Sequence, residues 1–165
     1  MTLDDVLRER RDAILSRWFD LVAESYPPET SGFLKREGDR FANPVASTIS
    51  RGLREIYDEF LGGGDETVLR AALDRAIRIR SVQDFAASSA TAFVFQLKDI
   101  VAEELGDERS SGEFRDFERR VDGLALLAFD VYMGCRDQLH EIRRKEIGRR
   151  SSALLERAKS GDIHK

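Results

Sequence analysis

Apolar residues recur along most of the chain at intervals of three and four, the period of an amphipathic α-helix. This pattern predicts helices from about 3 to 25, from Pro44 to Phe60, from Asp65 through Ile77, from Ser88 or Ser89 to Leu105, and from about 113 to 147, with a short helical turn near Phe33. No stretch shows the alternation of a strand. The predicted fold class is therefore all-α, a helical bundle with a long C-terminal helix.

Several predicted helices begin or end at residues suited to those positions. Thr2 is followed by Asp5 three residues later, which is typical of an N-cap with its reciprocal acidic partner. Asn43 before Pro44 is a second N-cap signal, since proline at the first helical position loses no hydrogen bond. Asp65 can cap the helix that follows the linker Gly62-Gly63-Gly64. These signals predict short connections between helices.

The last apolar stripe is the longest. It comprises Phe114, Phe117, Val121, Leu124, Ala128, Val131 and Cys135. Steps of three and four sustained over this length favour packing against another helix. We therefore predict a homodimer whose interface includes Val121, Leu124, Ala128, Val131 and Cys135.

The 165 residues fit one domain, and 41% apolar residues are enough to fold it. We assign residues 1–147 to that domain and 148–165 to a charged C-terminal extension, either helical or frayed. The net charge is −4, yet residues 136–159 carry eight Lys or Arg against four Asp or Glu. This basic segment predicts contacts of Arg143, Arg144, Arg149 and Arg150 with a regulatory protein partner. The alternative is a solvated helix end stabilised by the helix dipole.

Catalytic and metal-binding patterns are missing from the sequence. The only histidines are His140 and His164, and the only cysteine is Cys135, which would point about 140° away from His140 on a helix. No metal-ligand spacing or phosphate-binding loop occurs. We expect no enzyme activity, no cofactor and no nucleic-acid partner. The N-terminus lacks a signal peptide and no apolar run could span a bilayer, so we expect a cytoplasmic protein without membrane insertion.

Two further groups of residues leave alternatives open. Trp18, Phe19, Phe93, Phe95 and Phe129 could line a ligand pocket, although aromatic residues at helical spacing more often belong to a core.

Arg75, Arg78 and Arg80 form the second group, because they alternate with apolar residues. They could bind an anion or the carboxylates of a partner protein. The alternative is that they are exposed charges on a helix.

Three segments together carry a family resemblance. They are FLKREGDRFANPV at 33–45, IRIRSVQDF at 77–85 and ALLAFDVYMGCR at 125–136. In this order they resemble the N-terminal domain of RsbT co-antagonist proteins of the RsbR/RsbD type. The resemblance covers most of the chain.

The resemblance implies a globin-like sensory domain in bacterial stress signalling, a dimer formed by its last helices, and usually no haem. Members of the family normally continue into an anti-sigma-antagonist (STAS) domain, whereas this sequence ends at Lys165, so we do not carry over stressosome assembly. The leading hypothesis is a non-enzymatic sensory and regulatory domain that acts as a dimeric protein-interaction module. The alternative is a globin-like sensor that binds haem or another small ligand.

Overall fold

The computed structural model describes residues 2–36, 43–83, 85–107 and 111–161. These residues form eight α-helices and no strand: α1 (Leu3–Glu9), α2 (Arg11–Glu24), α3 (Pro28–Lys35), α4 (Pro44–Gly62), α5 (Glu66–Val82), α6 (Ala87–Thr91), α7 (Phe93–Leu105) and α8 (Gly112–Gly161). The prediction of an all-α fold with a long C-terminal helix is confirmed. Residues 37–42 and 84, which belong to the segments of family resemblance, lie outside the described residues.

The predicted N-caps are confirmed by their hydrogen bonds. The Thr2 hydroxyl accepts from the Asp5 amide at 3.3 Å, and the Asp5 carboxylate accepts from the Thr2 amide at 3.0 Å. The latter bond is the main reason that the pKa of Asp5 lies below its usual value. The Asn43 carboxamide accepts from the Ala46 amide at 3.1 Å, and Asp65 accepts from the first amides of α5. Short polar side chains thus satisfy amides that a helix start leaves unpaired.

The prediction of one helix from 3 to 25 is wrong, because the chain breaks into α1 and α2 at Arg10. The Leu7 carbonyl, which a continuous helix would offer to the Arg11 amide, accepts a hydrogen bond from the Tyr57 hydroxyl at 2.9 Å. The Arg10 guanidinium in turn donates to the carbonyl and the carboxylate of Glu104, at 3.1 and 2.7 Å. Neither proline nor glycine marks the break, which coincides with these contacts to α4 and α7.

The core lies where α2, α4, α5, α7 and the first half of α8 meet. Its largest buried side chain is that of Trp18, whose indole N–H donates to the Phe93 carbonyl at 2.7 Å. Helices α4 and α5 approach each other closely at Gly52, where an added Cβ would lie 3.4 Å from the Ala76 Cβ. The small residues at this crossing let the two helices bring their apolar faces together.

Helix α8 is the element that extends furthest from this core. Gly106, with a φ of +56°, ends α7, and the chain then enters a helix of 50 residues, about 75 Å long at 1.5 Å per residue. Its first half packs against α5, α6 and α7. From His140 to Gly161 every residue is exposed. The C-terminal extension is therefore helical as far as Gly161, and residues 162–165 lie outside the described part.

Candidate functional surfaces

The residues predicted to form the dimer seam are buried inside their own chain. Val121, Leu124, Ala128, Val131 and Cys135 are between 0% and 9% exposed. The helices that cover this stripe are α5, α6 and α7 of the same chain. This corrects the assignment of these five residues to a dimer interface, because the partner helices that the stripe requires are supplied intramolecularly.

Cys135 illustrates this intramolecular environment. Its thiol donates to the Asp74 carboxylate at 3.4 Å, and burial raises the pKa of the thiol above its usual value. A raised pKa keeps the group protonated near neutral pH, and the thiolate is the nucleophilic form. Cys135 therefore has the properties of a core residue.

A different side of α8 carries exposed apolar residues. The exposed fractions are 70% for Leu126, 45% for Phe129 and 42% for Met133, and their spacing of three and four places them on one face. Phe95 of α7 is 48% exposed. We call these four residues the α7–α8 apolar face.

Lys98 ties the two helices of this face together. Its ammonium lies 5.8 Å from the centre of the Phe95 ring and 2.6 Å from the carboxylate of Asp122, which is one helical turn before Leu126. The face is therefore a local feature built from both helices. Its four large apolar side chains are exposed to water in the single chain. Exposed apolar patches of this kind are typical of surfaces that bind other proteins.

The second half of α8 combines exposed apolar residues with arginines. Ile142, Ile147, Leu154 and Leu155 are each between 58% and 66% exposed. The four arginines predicted to contact a partner, Arg143, Arg144, Arg149 and Arg150, are exposed as well. Arg144 pairs with Glu141 on the preceding turn. The location of these arginines is compatible with a partner contact, which stays a prediction.

The aromatic residues considered as a ligand pocket do not surround a common cavity. Trp18 and Phe93 are buried together, with their ring centres 5.9 Å apart. Phe19 is half-buried, whereas Phe95 and Phe129 are largely exposed. Two of the five residues are thus core, and two belong to the α7–α8 apolar face.

Arg80 is not an exposed charge on a helix, since its side chain is buried and only 2% exposed. Its Nη2 atom donates to the Ser25 hydroxyl at 2.8 Å and to the Ser89 carbonyl at 3.0 Å. The guanidinium carbon lies 4.7 Å from the Phe85 ring centre and 5.3 Å from that of Tyr26. Burial lowers the pKa of Arg80 and raises that of Tyr26. The guanidinium thus acts as a polar core element joining α5 to α2 and α6.

The spacing could have revealed the burial of Arg80. It lies three residues after Ile77 and four after Ala76, both of which are buried. It therefore belongs to the inner face of α5. Arg75 and Arg78 are exposed as considered, and they pair with Glu55 and Asp74 respectively.

A cleft of about 920 Å³ lies between α2, α3 and α4. Its lining includes apolar residues of all three helices, the serines Ser16, Ser47 and Ser50, and five cationic side chains, namely Arg11, Lys35, Arg36, Arg51 and Arg54. We call it the α2–α4 cleft. The sequence did not reveal it, because its walls come from segments up to about forty residues apart.

The described residues contain neither a candidate metal site nor a candidate membrane-spanning helix. No group of three or more His, Cys, Asp or Glu side chains among them is arranged to hold a metal ion. Over the same ranges, no helix combines the length and the apolar character needed to cross a membrane. His140 is exposed on α8, and His164 lies outside the described residues.

Comparisons with known proteins agree with the resemblance noted in the sequence. The family model described as RsbT co-antagonist protein rsbRD N-terminal domain matches residues 12–147. An uncharacterized protein of Archaeoglobus fulgidus is 24% identical over 141 residues, which cover 82% of this chain and 83% of that protein. No solved structure matches the chain.

Proposed function

Because the chain belongs to the family of RsbT co-antagonist protein rsbRD N-terminal domains, we propose that it is a non-enzymatic sensory and regulatory domain of a stress-signalling pathway. In this proposal it acts as a cytoplasmic homodimer and presents the second half of α8 to a regulatory protein. The family supports the signalling role. The proposals of a dimer and of a regulatory partner are based on the exposed surfaces of α7 and α8 described above.

The observation that carries the proposal is a repeat along the exposed side of α8. Leu126, Met133, His140, Ile147 and Leu154 follow one another at intervals of seven residues, and all five are exposed. A repeat of seven keeps residues on one side of a helix over many turns and is typical of helices that pair in a coiled coil. Four of the five side chains are apolar, so this stripe would gain stability by pairing with another helix.

A second copy of the chain is the occupant that best suits the start of this stripe. The α7–α8 apolar face, with Phe95, Leu126, Phe129 and Met133, would pack on the same face of the other protomer about a two-fold axis. This arrangement keeps the homodimer that the sequence predicted but assigns it to a different side of α8. The buried stripe around Leu124 stays within each protomer.

The arginines predicted to contact a partner lie beside the repeat. Arg143 and Arg150 each follow a repeat position by three residues, and Arg144 and Arg149 lie close by along the helix. All four arginines are exposed on α8 and are therefore available to another chain. A regulatory partner with a carboxylate-rich surface would complement them, since guanidinium groups bind carboxylates strongly.

Sedimentation velocity of the full chain tests the dimer. We expect a dimer for the unmodified protein and a folded monomer for Phe129→Asp, because the substitution places a carboxylate in the middle of the α7–α8 apolar face. Phe33→Asp is the matched control: Phe33 of α3 is 47% exposed, almost the same as Phe129, but lies on a different helix. A monomeric unmodified protein, or a dimer that survives Phe129→Asp, would contradict the proposed interface.

The ligand-sensor alternative receives support from the α2–α4 cleft, which includes Phe19 but none of the other four aromatic residues that suggested a pocket. The cleft is large enough for a small molecule, as ligand sites commonly occupy about 300–1,000 Å³. A domain that binds a ligand there and pairs through α8 could combine sensing with regulation. The cationic and hydroxyl side chains that line the cleft determine which class of ligand it can bind.

A further inference from the structure

Small side chains from two helices line the α2–α4 cleft. Ser16 of α2 and Ala46, Ser47 and Ser50 of α4 line it. Large apolar side chains in those positions would have filled the space, since interiors pack as densely as organic crystals. Beneath the small residues lie the buried side chains Leu15, Leu34 and Leu53 and the half-buried Phe19, which form an apolar floor.

Polar contacts fix the positions of the cleft walls relative to one another. The Arg11 guanidinium of α2 donates two hydrogen bonds of 2.7 Å to the Asp58 carboxylate of α4. At the other side, the Asn43 carboxamide donates to the Phe33 carbonyl at 2.9 Å, which ties the start of α4 to α3. These bonds restrain the three helices that line the cleft, and such restraint reduces the ordering cost of binding.

The helix α4 presents unused hydrogen-bond donors to this space. Ser47, Ser50 and Arg54 recur at intervals of three and four and so share one face of α4. Within the described part of the chain, neither serine hydroxyl makes a hydrogen bond, whereas Thr48 on the outer side of α4 donates to the Pro44 carbonyl at 2.8 Å. Helical hydroxyls commonly bond back to the preceding turn in this way. The two cleft serines are thus available to a ligand.

Two of the five cations at the cleft also lack an acidic partner among the described residues. Arg11 pairs with Asp58 and Asp12, Lys35 with Glu24, and Arg51 with Glu55. No such pair occurs there for Arg36, at the end of α3, or Arg54. These two unpaired guanidinium groups belong to different walls of the cleft, in a chain whose net charge is −4. A local surplus of positive charge in an acidic protein indicates an anionic ligand.

We propose that the α2–α4 cleft binds a phosphate monoester with a compact, partly apolar body. Arg36, Arg54 and the hydroxyls of Ser47 and Ser50 contact the phosphate, and the body rests on Phe19 and the leucine floor. A phosphate offers three terminal oxygens and close to two negative charges, which two arginines and two hydroxyls can satisfy together. A carboxylate has only two oxygens and one charge. Inorganic phosphate would leave the apolar floor uncovered.

Isothermal titration of the full chain with phenyl phosphate tests this proposal. We expect saturable binding of one molecule per chain, weakened about tenfold or more by Arg54→Gln and by Arg36→Gln. Both arginines are exposed, so neither substitution should prevent folding, and circular dichroism checks this. Arg115→Gln is the matched control, since Arg115 is an exposed arginine of α8 outside the cleft. We expect the Arg115→Gln variant to bind phenyl phosphate with unchanged affinity.

The remaining probes separate the sources of affinity. Benzoate and inorganic phosphate should each bind at least tenfold more weakly than phenyl phosphate. Equal binding of benzoate would overturn the assignment to phosphate, and equal binding of inorganic phosphate would overturn the role of the apolar floor. Absence of saturable heat with phenyl phosphate, or an equal loss in Arg115→Gln, would overturn the site itself. None of these results depends on the oligomeric state. The dimer proposal is therefore tested separately, by sedimentation velocity.

Discussion

The two halves of α8 are continuous in backbone but opposite in environment. Between Gly112 and Cys135 one side of the helix is buried against α5, α6 and α7, whereas from His140 to Gly161 every residue is exposed. Both halves contain leucine or isoleucine, and neither contains proline. The difference lies in which surfaces reach them, since the rest of the bundle ends near Cys135.

The comparison shows that helix formation and helix stability have different sources in this protein. Residues that favour helix occur in both halves, but an isolated helix in water is marginally stable, and most helical stability in proteins comes from packing. In the first half that packing is internal. The second half has no such packing among the described residues, and the proposed dimer would supply it along the exposed repeat of seven residues.

The largest contrast between the halves should come from placing a charge in each. Leu124→Asp puts a carboxylate at a position that is only 3% exposed within the apolar core, and we expect it to lower the free energy of unfolding by about 3–5 kcal/mol. Leu154→Asp, at a position that is 65% exposed, should leave the unfolding of the core unchanged. Urea denaturation followed by Trp18 fluorescence measures both variants.

The Leu124→Asp and Leu154→Asp variants also distinguish a role of Leu124 in a dimer interface from a role in the core of one chain. If Leu124 were part of a dimer interface alone, Leu124→Asp would yield a stable folded monomer. The structure predicts instead a loss of the folded domain, because Leu124 lies within the core of one chain. An equal loss of core stability in Leu154→Asp would contradict the separation of the two halves.

Glycine substitutions should give a smaller effect of opposite sign. Gly134 lies in the packed half and Gly148 in the exposed half, and an added Cβ would meet no atom within 4 Å at either position. Alanine favours helix over glycine by about 1 kcal/mol. We expect Gly134→Ala to raise the free energy of unfolding of the domain by up to about 1 kcal/mol.

Gly148→Ala should act only on the second half of α8. We expect a higher helical signal in circular dichroism, with no change in the urea midpoint of Trp18 fluorescence. If Gly148→Ala stabilised the core as much as Gly134→Ala does, the two halves would have to unfold as one unit.

The smallest expected effect on the core is that of removing the exposed half altogether. A chain ending at Leu139 loses none of the buried apolar residues, so we expect its thermal midpoint to stay within a few degrees of that of the full chain under conditions in which both are monomeric. Differential scanning calorimetry measures this. A large fall in the midpoint would mean that the exposed half contributes to the fold within one chain.

Local signals in the sequence predicted many helix boundaries. Thr2, Asn43 and Asp65 were assigned as N-caps from residue type and spacing alone, and each makes the expected hydrogen bond. Such contacts reach only two or three residues along the chain, so sequence contains the necessary information. The break at Arg10 has no proline or glycine to signal it, and the contact found there joins Leu7 to the Tyr57 hydroxyl, fifty residues away.

The functional surfaces were harder to predict than the helices. The buried stripe of α8 was recognised as a surface requiring a partner helix, but nothing in its pattern states whether that helix belongs to the same chain. Both interpretations of Arg80 offered by the sequence, an anion contact and an exposed helix charge, require it at the surface, whereas its spacing from Ile77 places it on the inner face of α5. The α2–α4 cleft is lined by residues of three helices up to about forty positions apart, and no local pattern reports such a juxtaposition.

The sequence by itself determined the helical class, the helix caps, the family and the presence of a long last helix with apolar stripes. These features depend on residue order over a few turns, where period and capping chemistry act. Only the tertiary structure decided which stripe of α8 is core and which is exposed, where Arg80 lies, and that α2, α3 and α4 enclose a basic cleft. Those outcomes depend on how distant helices meet, because burial is a property of the assembled surfaces and not of any one segment.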